Sequence, residues 1–355
     1  MKKIFQWLDE RFELDALVKF MGKKYVPIHS HSVWYYFGGV SLFLFIIQVI
    51  TGILLLLYYK GGEDLAFESI QFIMSKVSFG WLIRSIHSWS ANLFVLSAMI
   101  HMFSVVFERA YRKPRELTWL SGMLMFFLIL GFGFSGYLLP WNELAFFATK
   151  VGTDIVGVIP MIGKPIMMLL RGGEEVTGAT LTRFYGIHVA ILPGMFTILL
   201  GLHLLFVQRQ GMSEPIEFTN TPEHERETMP FFPNFFLRDL LLWLIVLNVL
   251  AILAVFFPWE LGVKADPFAS APAGIQPEWY FMFMFQTLKM IPSHVLFIDG
   301  ELLGIGLFGL AGLVWTLIPF WDRKTARGEH NRFINYIAFF AICYIILLTT
   351  IGWLS

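Results

Sequence analysis

Long stretches without Asp, Glu, Lys or Arg alternate with charged segments along most of the chain. Seven stretches each have about the 20 residues that an α-helix needs to cross a hydrocarbon core ~30 Å thick. We number them spans 1 to 7, and they cover residues 33–59, 85–107, 117–139, 187–207, 240–259, 302–321 and 333–355. The pattern predicts an all-α integral membrane protein with seven transmembrane helices.

Residues 1–30 follow a different pattern, in which apolar positions such as Phe5, Leu8 and Phe12 alternate with charged ones. This is typical of an amphipathic helix on a membrane surface. Composition agrees with a lipid membrane as the surroundings, because 57% of the 355 residues are hydrophobic. The net charge is zero, so no nucleic-acid partner is expected. A single cysteine, Cys343, excludes a disulfide within the chain.

Lys and Arg residues predict the orientation, because cytoplasmic loops carry an excess of them. With a cytoplasmic N-terminus, 17 of the 26 fall on the cytoplasmic side and 9, including Arg84, on the opposite side. We therefore expect a multi-pass protein of the inner (cytoplasmic) membrane whose N-terminus is cytoplasmic. Spans 2 and 4 then both run from the outer face to the inner face.

Spans 2 and 4 each contain two histidines at nearly equal spacing. His87 and His101 are 14 residues apart, which on an α-helix is about 40° short of four turns, with a rise of ~21 Å. His188 and His203 are 15 residues apart, with a rise of ~22 Å. On parallel helices, His87 pairs with His188 near the outer face, and His101 pairs with His203 near the inner face.

This pairing favours haem ligation over two simpler explanations. A lone membrane histidine is more often a hydrogen-bond partner between helices, but here four occur at matched spacing. A structural zinc ion needs four ligands that converge on one point, whereas these histidines form two pairs half a membrane apart. The sequence therefore predicts two non-covalent b-type haems, each with two histidine ligands. Such iron has no open coordination position, which favours electron transfer over oxygen chemistry.

Glycines repeat the spacing in the neighbouring spans. Gly38 and Gly52 in span 1 are 14 residues apart, and so are Gly122 and Gly136 in span 3. A position without a side chain lets a flat macrocycle press against the backbone, although ordinary close packing of helices also uses small residues. Together with the histidines, the glycines indicate that spans 1 to 4 form a dihaem four-helix bundle.

Two other residues of the bundle have candidate roles. Arg84 lies three residues before His87 at the outer interface, where it pairs a haem propionate or simply extends towards water. Pro193 lies between the two histidines of span 4, and a proline kink would absorb the rotation that the extra residue introduces.

Three further motifs accompany the histidines: Gly136-Tyr137-Leu138-Leu139-Pro140-Trp141, Leu181-Thr182-Arg183-Phe184 and Pro277-Glu278-Trp279-Tyr280. With them, nearly the whole chain resembles cytochrome b of the Rieske–cytochrome b (cytochrome bc) complexes. The histidine spacing of 15 and the stretches 113–119 and 266–269 resemble the plastoquinol-type branch, where a four-helix cytochrome and a three-helix subunit IV are separate. The resemblance implies a fused form, with a cytochrome domain at 1–215 and a subunit IV-like domain at 216–355.

The sequence departs from that branch at two positions. Tyr36 stands where the branch has a cysteine that attaches an additional haem, so covalent attachment there is impossible. Ser104 stands three residues after His101, where the family often has an arginine that contacts the haem.

The resemblance also implies a quinol-oxidising site at the outer face. Glu278 fits it chemically, because a carboxylate within reach of a quinol hydroxyl can accept its proton. From the residues alone, a glutamate in the first turn of a helix and aromatic residues at the membrane interface are sufficient explanations. The other residues that the resemblance assigns to the site or to cofactor binding are Tyr137, Tyr280, Pro277, Trp279 and Arg183.

At the inner face, Asp239 and Arg209 are candidates for a quinone-reducing site, although charged residues are ordinary at the ends of spans. The partners implied are a Rieske iron–sulfur protein, a c-type cytochrome subunit, quinone and a second copy in a homodimeric complex. The implied function is a quinol:cytochrome c (or similar acceptor) oxidoreductase subunit that contributes to proton-motive force.

Two other functions are compatible with paired membrane histidines. One is a dihaem anchor that passes electrons between quinone and a dehydrogenase, and the Pro277–Tyr280 motif argues against it. The other is a non-redox transporter whose histidines relay protons. A b-type absorption band on reduction separates both haem proteins from the transporter.

Overall fold

The charge-free stretches form helices, because in lipid only a helix can satisfy every backbone hydrogen bond within one segment. The computed structural model describes residues 2–22, 24–216, 218, 221–272, 274–329 and 331–355. Among them, six helices are long and apolar enough to cross a membrane: Ser32–Leu56, Gly80–Phe107, Glu116–Leu138, Gly178–Gln210, Phe231–Phe256 and Arg332–Leu354. The prediction of an all-α, multi-pass membrane protein is confirmed.

The helices are numbered in chain order: α1 (Lys2–Phe12), α2 (Leu14–Gly22), α3 (Tyr36–Leu56), α4 (Ala66–Lys76), α5 (Gly80–Phe107), α6 (Glu116–Leu138), α7 (Glu143–Gly157), α8 (Gly163–Arg171), α9 (Gly178–Gly186), α10 (Leu192–Gln210), α11 (Phe236–Phe256), α12 (Trp279–Met290), α13 (Gly300–Thr316), α14 (Ile318–Trp321), α15 (Arg323–Ala326) and α16 (Arg332–Leu354). Short strands are β1 (Tyr25–Pro27), β2 (Thr228–Pro230), β3 (His294–Val295) and β4 (Ile298–Asp299).

Span 6 is shorter than its apolar pattern predicted. The apolar run continues to Trp321, but α13 ends at Thr316 and a separate short helix, α14, follows. Pro319 lies in the first turn of α14, where its missing N–H costs nothing, whereas in the interior of a longer helix it would remove a hydrogen bond. The proline therefore divides one predicted helix into two.

Span 4 contains a local irregularity that its proline signals. A π-helical turn, Ile187–Ile191, joins α9 to α10 directly before Pro193. A π turn holds one more residue than an α turn, so the 15-residue spacing of His188 and His203 covers the same rotation as a 14-residue spacing elsewhere. The extra residue is thus absorbed without turning either histidine away from the bundle.

The first four spans pack as a bundle in which α3 lies along α5, and α6 lies along α10. Outside it, α11 packs on α3 and α5, and α16 packs on α5 and α12. The strand pair β1–β2 joins the segment before α3 to the segment before α11, with Val26 opposite Met229. The two predicted domains are therefore in contact at both helix and strand level.

The amphipathic segment at the N-terminus forms two helices instead of one. Glu13, with φ of 49°, separates α1 from α2. Large apolar side chains of α1, such as Ile4 and Phe12, are each 66% exposed. An apolar face that no described part of the chain covers is what a helix on a membrane surface presents.

Candidate functional site

The four predicted histidines all lie inside the bundle. His87 and His101 are in α5, His188 is in the π turn and His203 is in α10. His87 interacts electrostatically with His188, and His101 with His203. All four side chains remain only half-buried, so each pair borders space between the helices. The structure thus brings the histidines together in the two predicted pairs.

The four glycines lie against the histidine rings. A Cβ atom placed on each glycine would meet the Cε1 atom of one histidine. The distances are 3.2 Å for Gly38 and His101, 3.4 Å for Gly52 and His87, 3.3 Å for Gly122 and His203, and 2.6 Å for Gly136 and His188. The glycines of α3 therefore make room for the rings of α5, and those of α6 make room for the rings of the fourth span.

Hydroxyl groups of α3 and α6 hold the Nδ1 atoms of three rings. The O–N distances are 2.8 Å for Thr51 and His87, 3.0 Å for Ser135 and His188, and 3.0 Å for Ser121 and His203. Each hydroxyl donates its proton to a carbonyl three or four residues earlier in its own helix. Its oxygen therefore accepts the Nδ1–H of the histidine, which leaves the Nε2 lone pair available for a metal ion.

His101 is the exception. Its Nδ1 atom is buried and has no hydrogen-bond partner within the described part of the chain. A serine or threonine directly precedes each of the other three glycines, whereas Phe37 precedes Gly38. The sequence analysis missed this difference, although the residue before each glycine signals it.

Large apolar side chains close the middle of the bundle. Phe45 of α3, Phe94 of α5, Ile129 of α6 and Phe196 of α10 are buried in one cluster, and the Phe45 and Phe196 ring centroids are 4.5 Å apart. Each of the four lies about halfway along its helix between the two histidines or glycines. This layer separates one level, with His87 and His188, from a second level, with His101 and His203. We call them the outer and the inner level, after the orientation that the sequence predicts.

Each level fits a non-covalent b-type haem. Each level has two imidazoles, two glycines beside their rings and the apolar layer on one side. Cys343 is exposed on α16, outside both levels. The donor atoms available at each level are therefore two imidazole nitrogens.

The three predicted arginines lie away from the histidine rings. Arg84 is buried and donates to the backbone carbonyls of Trp259 at 2.6 Å and Glu260 at 3.1 Å. It therefore ties the start of α5 to the segment after α11. Arg183 and Arg209 are exposed at the outer and inner ends of the fourth span.

A cavity of about 420 Å³ lies between α6, α7, α12 and α13. Its walls are mostly apolar, and Glu278 and Tyr137 are the ionisable side chains among its lining residues. The lining also includes Gly133, Phe134, Gly152, Pro277, Phe281 and Phe308. Glu278 is the N-cap residue of α12, but its side chain makes no capping hydrogen bond. Burial raises the pKa of the Glu278 carboxyl above its ordinary value.

Trp279 and Tyr280, which follow Glu278, contact the neighbouring helices α5 and α6. The Trp279 Nε1 atom donates to Asn92 Oδ1 of α5 at 2.8 Å. The Tyr280 hydroxyl is pressed against Gly133 of α6, where any side chain would collide with it. The two aromatic residues therefore fix the start of α12, and only Glu278 of the motif's ionisable groups faces the cavity. Asn92 and Gly133 were not identified from the sequence.

At the inner end, Asp239 of α11 lies against α3. Its carboxylate occupies the space that a side chain on Gly39 would fill, and its Oδ1 atom is buried without a hydrogen-bond partner among the described residues. Gly38 and Gly39 therefore place the His101 ring and the Asp239 carboxylate against adjacent residues of one helix.

Two histidines and a glutamate form a further polar cluster outside the bundle. One ligand atom each of His29, His31 and Glu108 lies within 4.8 Å of the other two. His29 Nε2 is 2.9 Å from the Tyr35 hydroxyl, and His31 Nδ1 is 3.2 Å from a Glu108 carboxylate oxygen. These contacts join the segment before α3 to the end of α5, which is a structural role.

Comparison with known proteins finds relatives that cover nearly the whole chain. Residues 21–211 match the family model described as Cytochrome b/b6/petB, and residues 264–355 match that described as Cytochrome b(C-terminal)/b6/petD. A cytochrome bc complex cytochrome b subunit of Chlorobaculum thiosulfatiphilum is 48% identical over 97% of this chain and 79% of that protein. Cytochrome b6 of Synechococcus elongatus is 42% identical over 61% of this chain and 100% of that protein.

A solved structure described as a hyperthermophilic respiratory Complex III is similar in fold. Its matched chain is 31% identical, with a TM-score of 0.86 over 98% of this chain and 90% of that chain. The similarity covers both the four-helix part and the helices that follow it.

Proposed function

The chain belongs to the cytochrome b family, and on this premise we propose that it is the dihaem subunit of a membrane quinol:cytochrome c oxidoreductase, or of one with a similar acceptor. It crosses the inner (cytoplasmic) membrane seven times, with α13 as the sixth crossing and the N-terminus in the cytoplasm. Of the described residues, α13 has only 17, but α14 continues the apolar run.

The observation that carries this proposal is the arrangement of the four histidines. His87 and His188 hold the outer haem, and His101 and His203 hold the inner haem. Three of their Nδ1 atoms donate to hydroxyls, so the Nε2 atoms are oriented for iron. Bound haems supply an electron path between the two faces of the membrane. The protein's part is to fix the ligands and to exclude water from the apolar layer between them.

Quinol binds in the cavity beside Glu278 and Tyr137. The cavity is mostly apolar, which suits a quinol ring, and Glu278 is not occupied by capping α12. As quinol is oxidised, the Glu278 carboxylate accepts one of the two protons and releases it at the outer face. Its raised pKa brings it closer to that of a working base. Tyr280 belongs to the same site, since its hydroxyl lies against Gly133 of the cavity wall.

Quinone is reduced at the inner end, near Asp239. Its buried, unpaired carboxylate oxygen supplies a proton acceptor and donor next to the helix segment that holds the His101 ring. Arg209 is exposed and contributes positive charge at that surface. Proton release outside and uptake inside conserve energy as proton-motive force.

The partners follow from this function. Of the two electrons of quinol, a Rieske iron–sulfur protein would take one at the outer face and pass it to a c-type cytochrome subunit, and the other would pass to the haems and on to quinone at the inner end. This chain itself has one cysteine and no c-type haem motif, so both must be other subunits. The assembled complex is a homodimer.

The purified protein is expected to contain two b-type haems per chain. Pyridine extraction gives the amount of haem, and a reduced-minus-oxidised spectrum gives its type. The b-type band should appear on reduction with quinol and dithionite. A preparation that is folded and free of haem would contradict the proposal and favour a transporter.

A second expected result concerns the glycines. Gly136→Ala should weaken binding of the outer haem, because the added Cβ would lie 2.6 Å from the His188 ring. We expect a loss of roughly 10- to 100-fold in haem affinity, the size that follows from disturbing a ligand's surroundings. Haem content after a titration with a haem-binding competitor measures it.

Gly131→Ala is the matched control for this substitution. It lies on the same helix, and a Cβ there would meet Leu192 at an ordinary distance of 3.7 Å. It should therefore retain both haems. Equal haem loss in the two variants would show that the helix, and not the contact with His188, is sensitive.

A further inference from the structure

The two histidine pairs differ in their hydrogen bonds. In the outer pair, both Nδ1 atoms have a hydroxyl partner, Thr51 for His87 and Ser135 for His188. In the inner pair, His203 has one, but His101 has none within the described chain. The outer level therefore has two supported ligands and the inner level has one.

The cause lies at a single position of α3. Residue 37 is 14 residues before Thr51, so by helical spacing it stands to His101 as Thr51 stands to His87. Phe37 has no hydroxyl, and its ring stacks on Trp34 with centroids 5.6 Å apart. Its carbonyl already accepts the Ser41 hydroxyl at 2.9 Å. Neither the side chain nor the carbonyl of Phe37 replaces the missing acceptor.

A hydrogen bond from Nδ1–H makes an imidazole a stronger electron donor through Nε2. A stronger donor stabilises ferric iron relative to ferrous iron and lowers the reduction potential. An imidazole without that hydrogen bond donates less, so its iron is easier to reduce. The missing hydrogen bond at His101 thus raises the reduction potential of iron at the inner level relative to the same site with both ligands supported.

We propose that Phe37, by leaving His101 Nδ1 without an acceptor, raises the reduction potential of a haem held by His101 and His203 above the value that a hydroxyl at position 37 would give. Phe37 acts through His101 and is a positioning residue. The inference rests on the proposed function, because it concerns the haems that these histidines hold.

The test is a redox titration of the b-type haems in the purified complex. Phe37→Thr supplies a hydroxyl and should lower the midpoint potential of the inner haem, with the outer haem unchanged. Phe37→Leu is the matched control, since it changes the volume without adding a hydroxyl, and should shift the inner midpoint less. An equal shift in both variants would overturn the proposal in favour of packing.

Thr51→Val gives an independent measurement at the outer level. It removes the acceptor of His87 and should raise the midpoint potential of the outer haem, with the inner haem unchanged. This variant decides the question if Phe37→Thr does not assemble. Unchanged midpoints in a complex with both haems present would defeat this inference alone, whereas absence of two b-type haems in the unmodified protein would defeat the proposed function.

Discussion

Replacement of His203 by leucine is expected to leave one b-type haem per chain instead of two. His203 is the only ligand from the fourth span at the inner level, and leucine has no lone pair to replace its Nε2 atom. The expected loss of inner-haem affinity exceeds the ~10- to 100-fold that changes around a ligand cause. Haem-to-protein ratio and low-temperature difference spectra measure it.

The outer haem should survive that change. The buried layer that contains Phe45 and Phe196 separates the two levels, so repacking at His203 need not reach His87 or His188. His294→Leu is the control, because His294 is exposed in β3. It should keep both haems. Retention of two haems in His203→Leu would contradict the ligand assignment.

The fold was largely predictable, because lipid leaves a charge-free stretch few choices besides a helix. The exceptions are local. Helix α13 ends before Pro319, which begins the separate helix α14. The run of apolar residues alone does not show where a helix ends near a proline. The π turn before Pro193 was predicted only as a kink, since sequence spacing gives the mismatch but not the way the backbone absorbs it.

The candidate site was likewise predictable where helical spacing determines it, and not where contacts between helices do. The spacing of 14 residues identified Gly38, Gly52, Gly122 and Gly136, because a helix repeats direction at that interval. It predicted an approach of a macrocycle to these glycines, whereas the structure places the histidine rings against them. The hydroxyls on Nδ1 were missed, since a serine in a span ordinarily bonds its own helix and only the neighbouring helix shows its second partner. The contact of Tyr280 with Gly133 joins residues 147 positions apart, which no local pattern reveals.

Glu278→Gln is expected to lower the rate of quinol oxidation by roughly 10²- to 10⁴-fold, the range for loss of a general base. Glutamine keeps the size and a hydrogen-bonding group but cannot accept the quinol proton. Haem content should stay the same, because Glu278 lines the cavity between α6, α7, α12 and α13 and not a histidine level. Turnover with a saturating acceptor measures the effect.

The pH dependence separates a lost base from a damaged cavity. Burial raises the pKa of Glu278, so the proton-accepting carboxylate form becomes populated only above that raised pKa. The rate of the unmodified protein should therefore increase as pH rises through it and fall on the acid side. The rate of the Glu278→Gln variant should be low and should not fall further as the pH is lowered through that pKa. The acid limb of the pH profile should therefore be absent from this variant.

Glu260→Gln provides the control, because Glu260 is an exposed glutamate of the same outer segment. It should retain both the rate and the acid limb, since its carboxylate does not line the cavity. If Glu278→Gln kept the acid limb of the unmodified protein, the titrating base would be another group. The raised pKa of Glu278 would then reflect only its burial.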